Sequence, residues 1–363
     1  MSAEGYRLTD LDIAGPGARR ALHGLAHQQP LRFARRVIEV GAEVALAAVR
    51  DRLAPPRPTS VRRLEPGAVA CGPADPVALY VHYSASGRIS PMVLRQLAAH
   101  RQAGFAIVFV SMADSIPAAD WAAAAADCAL LVQRRNFALD FGAWHDLAPE
   151  VARRWPQAPE LLLANDSVLG PIRPMAPVLA ALRGGGDGLF GLTESRQGGV
   201  HLQSYLLLAR GHGAVADLLG FLRDLRLSVS KWLIVRRGEL ALARHMAARG
   251  HRVAALFGYR RLVAATLADP AERGYLHGLH PRLAADPAQA AAQLWTWPLN
   301  PTSHFWQAII RRQGFPFLKT ELIRRNPGKL PEVAGWPGLV GPDAPCPPAL
   351  LAEHLRLLEA QLR

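Results

Sequence analysis

The stretch Glu160-Leu161-Leu162-Leu163-Ala164-Asn165-Asp166-Ser167 decides the fold that we predict for this chain. An apolar run of strand length that ends on an amide, a carboxylate and a hydroxyl is typical of a buried parallel strand whose carboxyl end carries polar groups to a crevice. A second polar segment, Asn136 with Asp140-Phe141-Gly142-Ala143-Trp144-His145, precedes it. We therefore expect the functional site at this end of a sheet.

Apolar segments of strand length alternate with helical patterns on both sides of this stretch. Further strands are predicted at 77–84, 106–111, 129–133, 188–194 and 201–209. Between the first two, Ser90-Pro91 starts a helix as N-cap and first-turn residue, and Gly104 ends it. This alternation predicts parallel pairing with right-handed crossovers, and hence an α/β fold with a doubly wound, mostly parallel sheet.

The chain divides into three predicted regions: 1–70 is a helical and linker region, 71–265 is the sheet core, and 266–363 is helical and rich in aromatic residues. In the first region, residues 30–53 carry apolar side chains at helical spacing with arginines among them. This pattern fits a surface helix packed on the domain, and it also fits an interfacial helix that touches anionic lipid.

The hydrophobic content and the net charge of the chain indicate which kinds of molecule it could bind. Hydrophobic residues make up 50% of the 363 residues, which indicates a globular chain, and the net charge of +13 suggests phosphate-bearing partners. The basic residues are nearly all arginine, however, with lysine only at Lys231, Lys319 and Lys329. They are scattered and no nucleic-acid-binding motif is present, so we expect no nucleic-acid partner.

The cysteines and the apolar segments indicate the cellular compartment in which the protein is expected. Cys71, Cys128 and Cys346 are far apart and lack metal-ligand spacing, which is typical of reduced thiols in a cytosolic protein. The first 25 residues lack the apolar segment of a signal peptide, and no window has the length of an uncharged membrane span. We expect a cytoplasmic protein, with peripheral contact to the inner membrane as the alternative.

Asp166, Asp140 and Glu239 are the acidic candidates. At a strand end Asp166 could hold Mg²⁺ or Mn²⁺, which prefer oxygen ligands, or it could be an ordinary turn residue. Asp140, with Asn136, could hydrogen-bond a nucleoside or cap the following helix. Glu239 starts a helix and could be a general base or a solvated glutamate.

Histidine and aromatic candidates leave similar alternatives. In a continuous strand His201, Gln203 and Tyr205 share one face, which could line a sugar site or belong to a polar part of the core. His82, at the end of the first strand, has the same two interpretations. The aromatic residues of segments 294–306 and 315–317 are more typical of a core cluster than of a carbohydrate platform. No Ser-His-Asp order, Cys/His metal set or dinucleotide-binding glycine pattern is present.

Taken together, the ordered motifs resemble the rhamnan synthesis protein F family of bacterial polysaccharide and lipopolysaccharide assembly. They span residues 77 to 327 and are Val81-His82-Tyr83, Phe109-Val110-Ser111, Asn136 with Asp140-Phe141-Gly142-Ala143-Trp144, Asn165-Asp166-Ser167 with Gly170-Pro171, His201-Leu202-Gln203-Ser204-Tyr205, Glu239, Asn300-Pro301-Thr302 and Pro316-Phe317-Leu318-Lys319. The resemblance implies a GT-A-like nucleotide-sugar transferase fold and glycosyl transfer. The family pattern has a glycine between the Asn and Asp of its first motif, where this chain has Phe137-Ala138-Leu139.

The resemblance also implies roles for single residues. Asp166 becomes the acidic residue at the metal and diphosphate, and Glu239 becomes the base of an inverting displacement. The residues implied to bind nucleotide or sugar are His82, Asn136, Asp140, Asn165, Ser167, His201 and Gln203. The motif has one acid where many such transferases have two.

The resemblance, together with Asp166 at the strand end, implies a glycosyltransferase that moves a sugar such as rhamnose from a nucleotide-diphospho-sugar donor to a lipid-linked or polymeric glycan acceptor. The alternative is a non-catalytic glycan-assembly or interaction protein that keeps the fold. A phosphate-binding hydrolase lacks an evident nucleophile in this sequence.

Overall fold

Twelve strands form in the part of the chain that the structure, a computed structural model, describes: residues 5–14, 30–53 and 59–359. They are β1 (Thr9–Asp10), β2 (Val61–Pro66), β3 (Val77–His82), β4 (Ala106–Ser111), β5 (Leu130–Arg134), β6 (Glu160–Asn165), β7 (Val168–Leu169), β8 (Gly188–Ser195), β9 (His201–Leu202), β10 (Leu206–Arg210), β11 (Arg252–Phe257) and β12 (Leu318–Lys319). Strand β6 is the one predicted from the opening stretch, so that expectation is confirmed.

The helices follow the predicted alternation in the first half of the chain. They are α1 (Pro30–Leu53), α2 (Pro91–Gln102), α3 (Ala118–Ala125), α4 (Leu139–Arg154), α5 (Ala176–Arg183), α6 (His212–Arg223), α7 (Lys231–Arg237), α8 (Glu239–Ala248), α9 (Tyr259–Ala268), α10 (Pro270–Leu279), α11 (Pro287–Thr296), α12 (Pro301–His304), α13 (Trp306–Gln313), α14 (Thr320–Arg325) and α15 (Pro348–Glu359), with a 3₁₀ helix at Val333–Leu339. Ser90 caps α2 as expected, because its hydroxyl accepts a hydrogen bond from the Val93 N–H.

One large sheet, mostly parallel and flanked by helices, forms the centre of the molecule, as the predicted α/β fold requires. Its strand order is β1-β11-β8-β10-β6-β3-β4-β5-β2, and β9 pairs with β8. Strands β6, β3, β4 and β5 are parallel, and β11 is parallel to β8. Strand β10 runs antiparallel between β6 and β8.

The order of strands reverses at β3. The chain passes from β3 to β4 and β5 on one side and then returns to place β6 on the other side of β3, in the register Val81 to Asn165. In open α/β sheets a crevice forms at such a reversal, outside the carboxyl ends of the strands. Asn165, the last residue of β6, and the two residues after it therefore lie at the mouth of this crevice.

Alternating residues of the strands form two cores, one on each face of the sheet. On one face Leu79 and Leu163 pack with Trp144 of α4, together with residues of α6 and α8. On the other face Tyr80 and Leu162 pack with α2, α3, α5 and the C-terminal helices. Both faces of the central strands are covered, which explains their continuous apolar sequence.

The outer regions of the predicted division both contribute to sheets. Strand β2, from region 1–70, pairs antiparallel with β5, and β1 pairs with β11. Strand β12, from region 266–363, pairs with β7 in a separate two-stranded sheet. The three-region division stays a prediction. None of the helices in the described ranges is long and apolar enough to cross a bilayer.

Helix α4 begins with a strained turn. Ala138 and Leu139 have φ of 59° and 55°, in the left-handed region that costs a residue with a side chain about 1–2 kcal/mol. No side chain caps the helix, so Asp140 is not its cap. Gly142 permits the turn, because a Cβ built there would lie 2.1 Å from the Phe137 carbonyl oxygen.

Gly142→Ala tests this turn against a glycine in open space. The added Cβ must displace backbone, so we expect a loss of about 1–3 kcal/mol in the free energy of unfolding. At Gly220 of α6 nothing lies within 4 Å of an added Cβ. Gly220→Ala should therefore raise stability by about 0.5–1 kcal/mol through helix propensity. Denaturant titration measures the free energy of unfolding of both variants. If the two substitutions changed it equally, the close backbone contact of Gly142 in the turn would be contradicted.

Candidate functional site

Asp166 lies at the reversal point and is bonded across it. Its carboxylate Oδ2 accepts a hydrogen bond of 2.8 Å from the backbone N–H of Tyr83, which follows β3. Its own N–H donates to the Val81 carbonyl at 3.2 Å. The side chain is half-buried, so it is fixed at the mouth of the crevice.

Asn165 links Asp166 to the start of α4. Its Nδ2 donates to Asp140 Oδ2 at 2.8 Å, and its Oδ1 accepts from the Ser167 backbone N–H at 3.1 Å. The backbone donor fixes which amide atom is oxygen. The buried Asn165 thus holds Asp140 beside the strand end, while Ser167 remains exposed.

Glu239 approaches the same place as the first residue of α8. Ser204 donates to its Oε2 at 2.8 Å, and His201 Nε2 lies 3.4 Å from its Oε1. His201 Nδ1 lies 2.8 Å from the Gly199 carbonyl, which can only accept, so Nδ1 carries a proton. The contact with Glu239 is an ion pair when the second ring nitrogen is protonated as well.

Close packing of Gly238 on α4 brings Glu239 near Asp140. A Cβ built on Gly238 would lie 2.7 Å from Phe141 Cδ1, so only glycine lets the two chain segments approach this closely. Phe141 directly follows Asp140, and Glu239 directly follows Gly238. The two carboxylates are accordingly close enough for the charge of Glu239 to raise the pKa of Asp140.

The three carboxyl groups have different pKa values. Burial, with the negative charge of Glu239, raises the pKa of Asp140 to about 7. Burial raises the pKa of Asp166 to about 8, against the lowering effect of the Tyr83 N–H. Burial also raises that of Glu239, but the hydrogen bonds and charge of His201, with Ser204 and Lys319, outweigh it and lower the pKa overall. Glu239 is therefore ionised at neutral pH, whereas Asp140 and Asp166 keep their protons to a higher pH than ordinary aspartates do.

Two of the three lysines in the chain lie at this site. Lys319 in β12 pairs in register with Val168, and the next residue, Thr320, donates its N–H to the Ser167 carbonyl at 3.1 Å. Burial lowers the pKa of Lys319, and Glu239 partly restores it. Lys231 lowers the pKa of Asp140, so it is also near. Within the described residues Lys319 forms no ion pair within 4 Å, which leaves its charge available to a ligand.

Other residues predicted for the site lie elsewhere. His82 is buried at 1% exposure, contacts Ser111 Oγ at 3.0 Å and stacks on Phe109, and burial lowers its pKa to about 3. Gln203 is buried, and its Oε1 accepts from Thr193 at 2.7 Å. Asn136 is exposed and does not contact Asp140 by any hydrogen bond between described residues.

The predicted strand 201–209 is confirmed at both ends as β9 and β10, but it is not continuous, because a turn at Ser204 and Tyr205 divides it. The turn directs Ser204 to Glu239 and keeps Gln203 and Tyr205 on Thr193. Sequence reasoning therefore missed Ser204. It also gave no role to Lys319 or Lys231, although the scarcity of lysine among 42 basic residues was a usable signal.

The aromatic residues near the C terminus form a core, as expected. Phe305, Trp306, Phe315 and Phe317 are buried. The Trp295 ring has the guanidinium groups of Arg196 and Arg260 at 3.6 Å and 4.6 Å from its centroid. Such cation–π contacts occupy the ring that a sugar would need.

The chain is similar to two proteins of Vibrio anguillarum, each named virulence protein VirA. In both comparisons 26% of residues are identical over 211 residues, which is 57% of this chain. The match spans 66% of the length of these relatives. No family model matches the chain.

The raised aspartate pKa values predict how stability depends on pH. The folded protein holds protons that the unfolded chain, with an aspartate pKa of 3.8, releases. This contribution to stability is complete below about pH 4 and is lost as the pH rises to about 8. Asp166→Asn should reduce the loss of stability as the pH rises towards 8, whereas Asp343→Asn, at an exposed residue, should not. Thermal unfolding from pH 5 to pH 9 checks this, and parallel curves for all three proteins would contradict it.

Proposed function

We propose that this protein is a glycosyltransferase that uses a nucleotide-diphospho-sugar donor and extends a cell-surface glycan. One observation supports it above the others. At the carboxyl end of β6, Asp166 and Asp140 lie with the ionised Glu239 and with Lys319, which forms no ion pair among the described residues. A diphosphate needs positive charge, and sugar transfer needs a base beside it.

The sheet supports the GT-A-like part of the proposal. The crevice at the reversal between β3 and β6 is the place where open α/β sheets bind nucleotides. The polar groups of the site come from the ends of β6 and β12 and the starts of α4 and α8, all beside that crevice. Strand β10, which runs antiparallel between β6 and β8, brings Ser204 to Glu239 through the turn that precedes it.

A divalent metal fits the donor set of this site. No cluster of three or more His, Cys, Asp or Glu side chains suited to a metal occurs among the residues that the structure describes. Mg²⁺ commonly takes only one or two protein carboxylates and completes its shell with phosphate and water, and Asp166 and Asp140 suit that role. When bound, the metal would neutralise charge on the diphosphate.

The side chains of this chain perform the remaining steps of the proposed reaction. Glu239 accepts the proton of an acceptor hydroxyl as that oxygen forms a bond to the anomeric carbon of the donor. The bond between this carbon and the diphosphate oxygen breaks, and Lys319 stabilises the charge that develops on the diphosphate. His201 and Ser204 hold Glu239 and keep its pKa low, so the base is ready at neutral pH.

One observation favours the alternative of a non-catalytic glycan-assembly protein. Both carboxylate oxygens of Glu239 already have partners, Ser204 and His201. Under the alternative these contacts make Glu239 a structural residue, although a carboxylate has about four acceptor positions and can still accept a further proton. Under the alternative, the protein binds nucleotide sugar and releases no nucleotide in the presence of any lipid-linked acceptor.

Release of nucleotide from a panel of nucleotide-diphospho-sugars, with membrane lipid extract as acceptor, tests the proposal. Glu239→Gln should lower turnover by about 10²–10⁴-fold with unchanged donor affinity, since only proton transfer is lost. Lys319→Met should weaken donor binding by roughly 10–100-fold, the value of a charge-assisted hydrogen bond. The control Glu359→Gln makes the same charge change at an exposed residue of α15 and should retain activity. Wild-type turnover in both test variants would refute the assigned roles.

A further inference from the structure

Helix α1 presents an apolar stripe to solvent. Six of the ten large apolar side chains that are exposed among the described residues belong to this one helix. Leu31, Ile38, Leu46, Val49 and Leu53 are 85%, 71%, 73%, 53% and 81% exposed. They follow one another at intervals of three, four, seven or eight residues, so they share one face of the helix.

The opposite side of α1 is held to the protein largely by polar contacts. Glu43 accepts a hydrogen bond of 2.8 Å from Ser230, and Asp51 forms a 2.9 Å ion pair with Arg237. The Arg36 guanidinium lies 5.9 Å from the Trp232 ring centroid, and Ala47 is buried. Val40 and Val44 are half-buried on this side, whereas the larger Leu31, Ile38, Leu46 and Leu53 face solvent. A helix that only covers the domain would place its largest apolar side chains inward.

The exposed charges beside the stripe are mostly basic, and the acidic Glu39 is paired with Arg35 at 2.7 Å and Arg36 at 3.8 Å. The acidic residues Glu43 and Asp51 are used in contacts with α7 and its N-cap, whereas Arg50 and Arg52 are exposed next to Val49 and Leu53. Three further arginines line a cavity by this helix end, Arg226, Arg236 and Arg237, and Arg226 donates to the Asp51 carbonyl at 3.0 Å. Exposed apolar area bordered by arginine is complementary to acyl chains below anionic headgroups.

We propose that α1 docks the protein on an anionic phospholipid surface, with Leu31, Ile38, Leu46, Val49 and Leu53 in the acyl boundary and Arg50 and Arg52 at the headgroups. The helix lies in the plane of the surface and does not cross it, in agreement with its charges. This inference does not depend on the proposed transferase activity, since it rests on residues outside the crevice.

Co-sedimentation of the full chain with vesicles of phosphatidylcholine, alone or mixed with phosphatidylglycerol, tests the docking. The wild type should bind the mixed vesicles, and less so at high salt. The triple variant Ile38→Gln, Leu46→Gln, Val49→Gln should bind roughly 100-fold more weakly. Each substitution removes the free energy that an apolar side chain gains on moving from water into the lipid. Leu64→Gln, on edge strand β2, should bind as the wild type does.

Two results would overturn the proposal. One is equal vesicle binding by the wild type and the triple variant at an unchanged unfolding midpoint. The other is a wild type that does not bind vesicles but sediments as a dimer, with a monomeric triple variant, which would make the stripe an interface between copies. Weaker preference for phosphatidylglycerol in Arg50→Gln, Arg52→Gln supports the headgroup contact, and unchanged preference counts against it.

Discussion

The hydrogen bond from the Tyr83 N–H to the Asp166 carboxylate is the contact on which the rest of the site depends. It joins the segment after β3 to the segment after β6 at the point where the strand order reverses. Asn165 extends this link to Asp140 and so to the start of α4, and Gly238 packing on Phe141 adds α8 with Glu239. Four elements from distant parts of the chain therefore present their polar groups at one edge of the sheet. Without the bond across the reversal, Asp166 would be an ordinary turn residue.

The three carboxyl groups of the site differ in protonation because their surroundings differ. Their negative charges repel one another in a partly buried space. His201 and Lys319 keep Glu239 ionised, while the pKa values of Asp140 and Asp166 rise. A bound cation, or a ligand that carries one, would stabilise these carboxyl groups, because the aspartates could then ionise. The left-handed conformations of Ala138 and Leu139 indicate that the turn before Asp140 is held against its local preference, which is commonly seen at functional sites.

The sequence predicted correctly those elements that depend on signals within a short stretch of the chain. The run 160–165, the Ser90 cap and the helix at 30–53 appear as expected, since strand length, capping chemistry and helical spacing are local signals. Strands β2 and β11 were missed, as were the two-residue strands β1, β7 and β12. Strand β2 carries two adjacent arginines and pairs at the edge of the sheet, and β11 begins soon after the end of α8. The turn at Ser204, the burial of His82 and the meeting of Lys319 with Glu239 depend on pairing between distant segments, which no window of sequence contains.

In the proposed function, the edge of the sheet beside Asp166 receives a diphosphate. A crystal structure of the protein with uridine diphosphate and Mg²⁺ tests it most directly. We expect the diphosphate at the carboxyl end of β6, with Lys319 Nζ within hydrogen-bond distance of a phosphate oxygen and the Asp166 carboxylate facing the same group. A nucleotide bound instead in the arginine-lined cavity between α6, α7 and α8, with the crevice beside β6 empty, would contradict the claim.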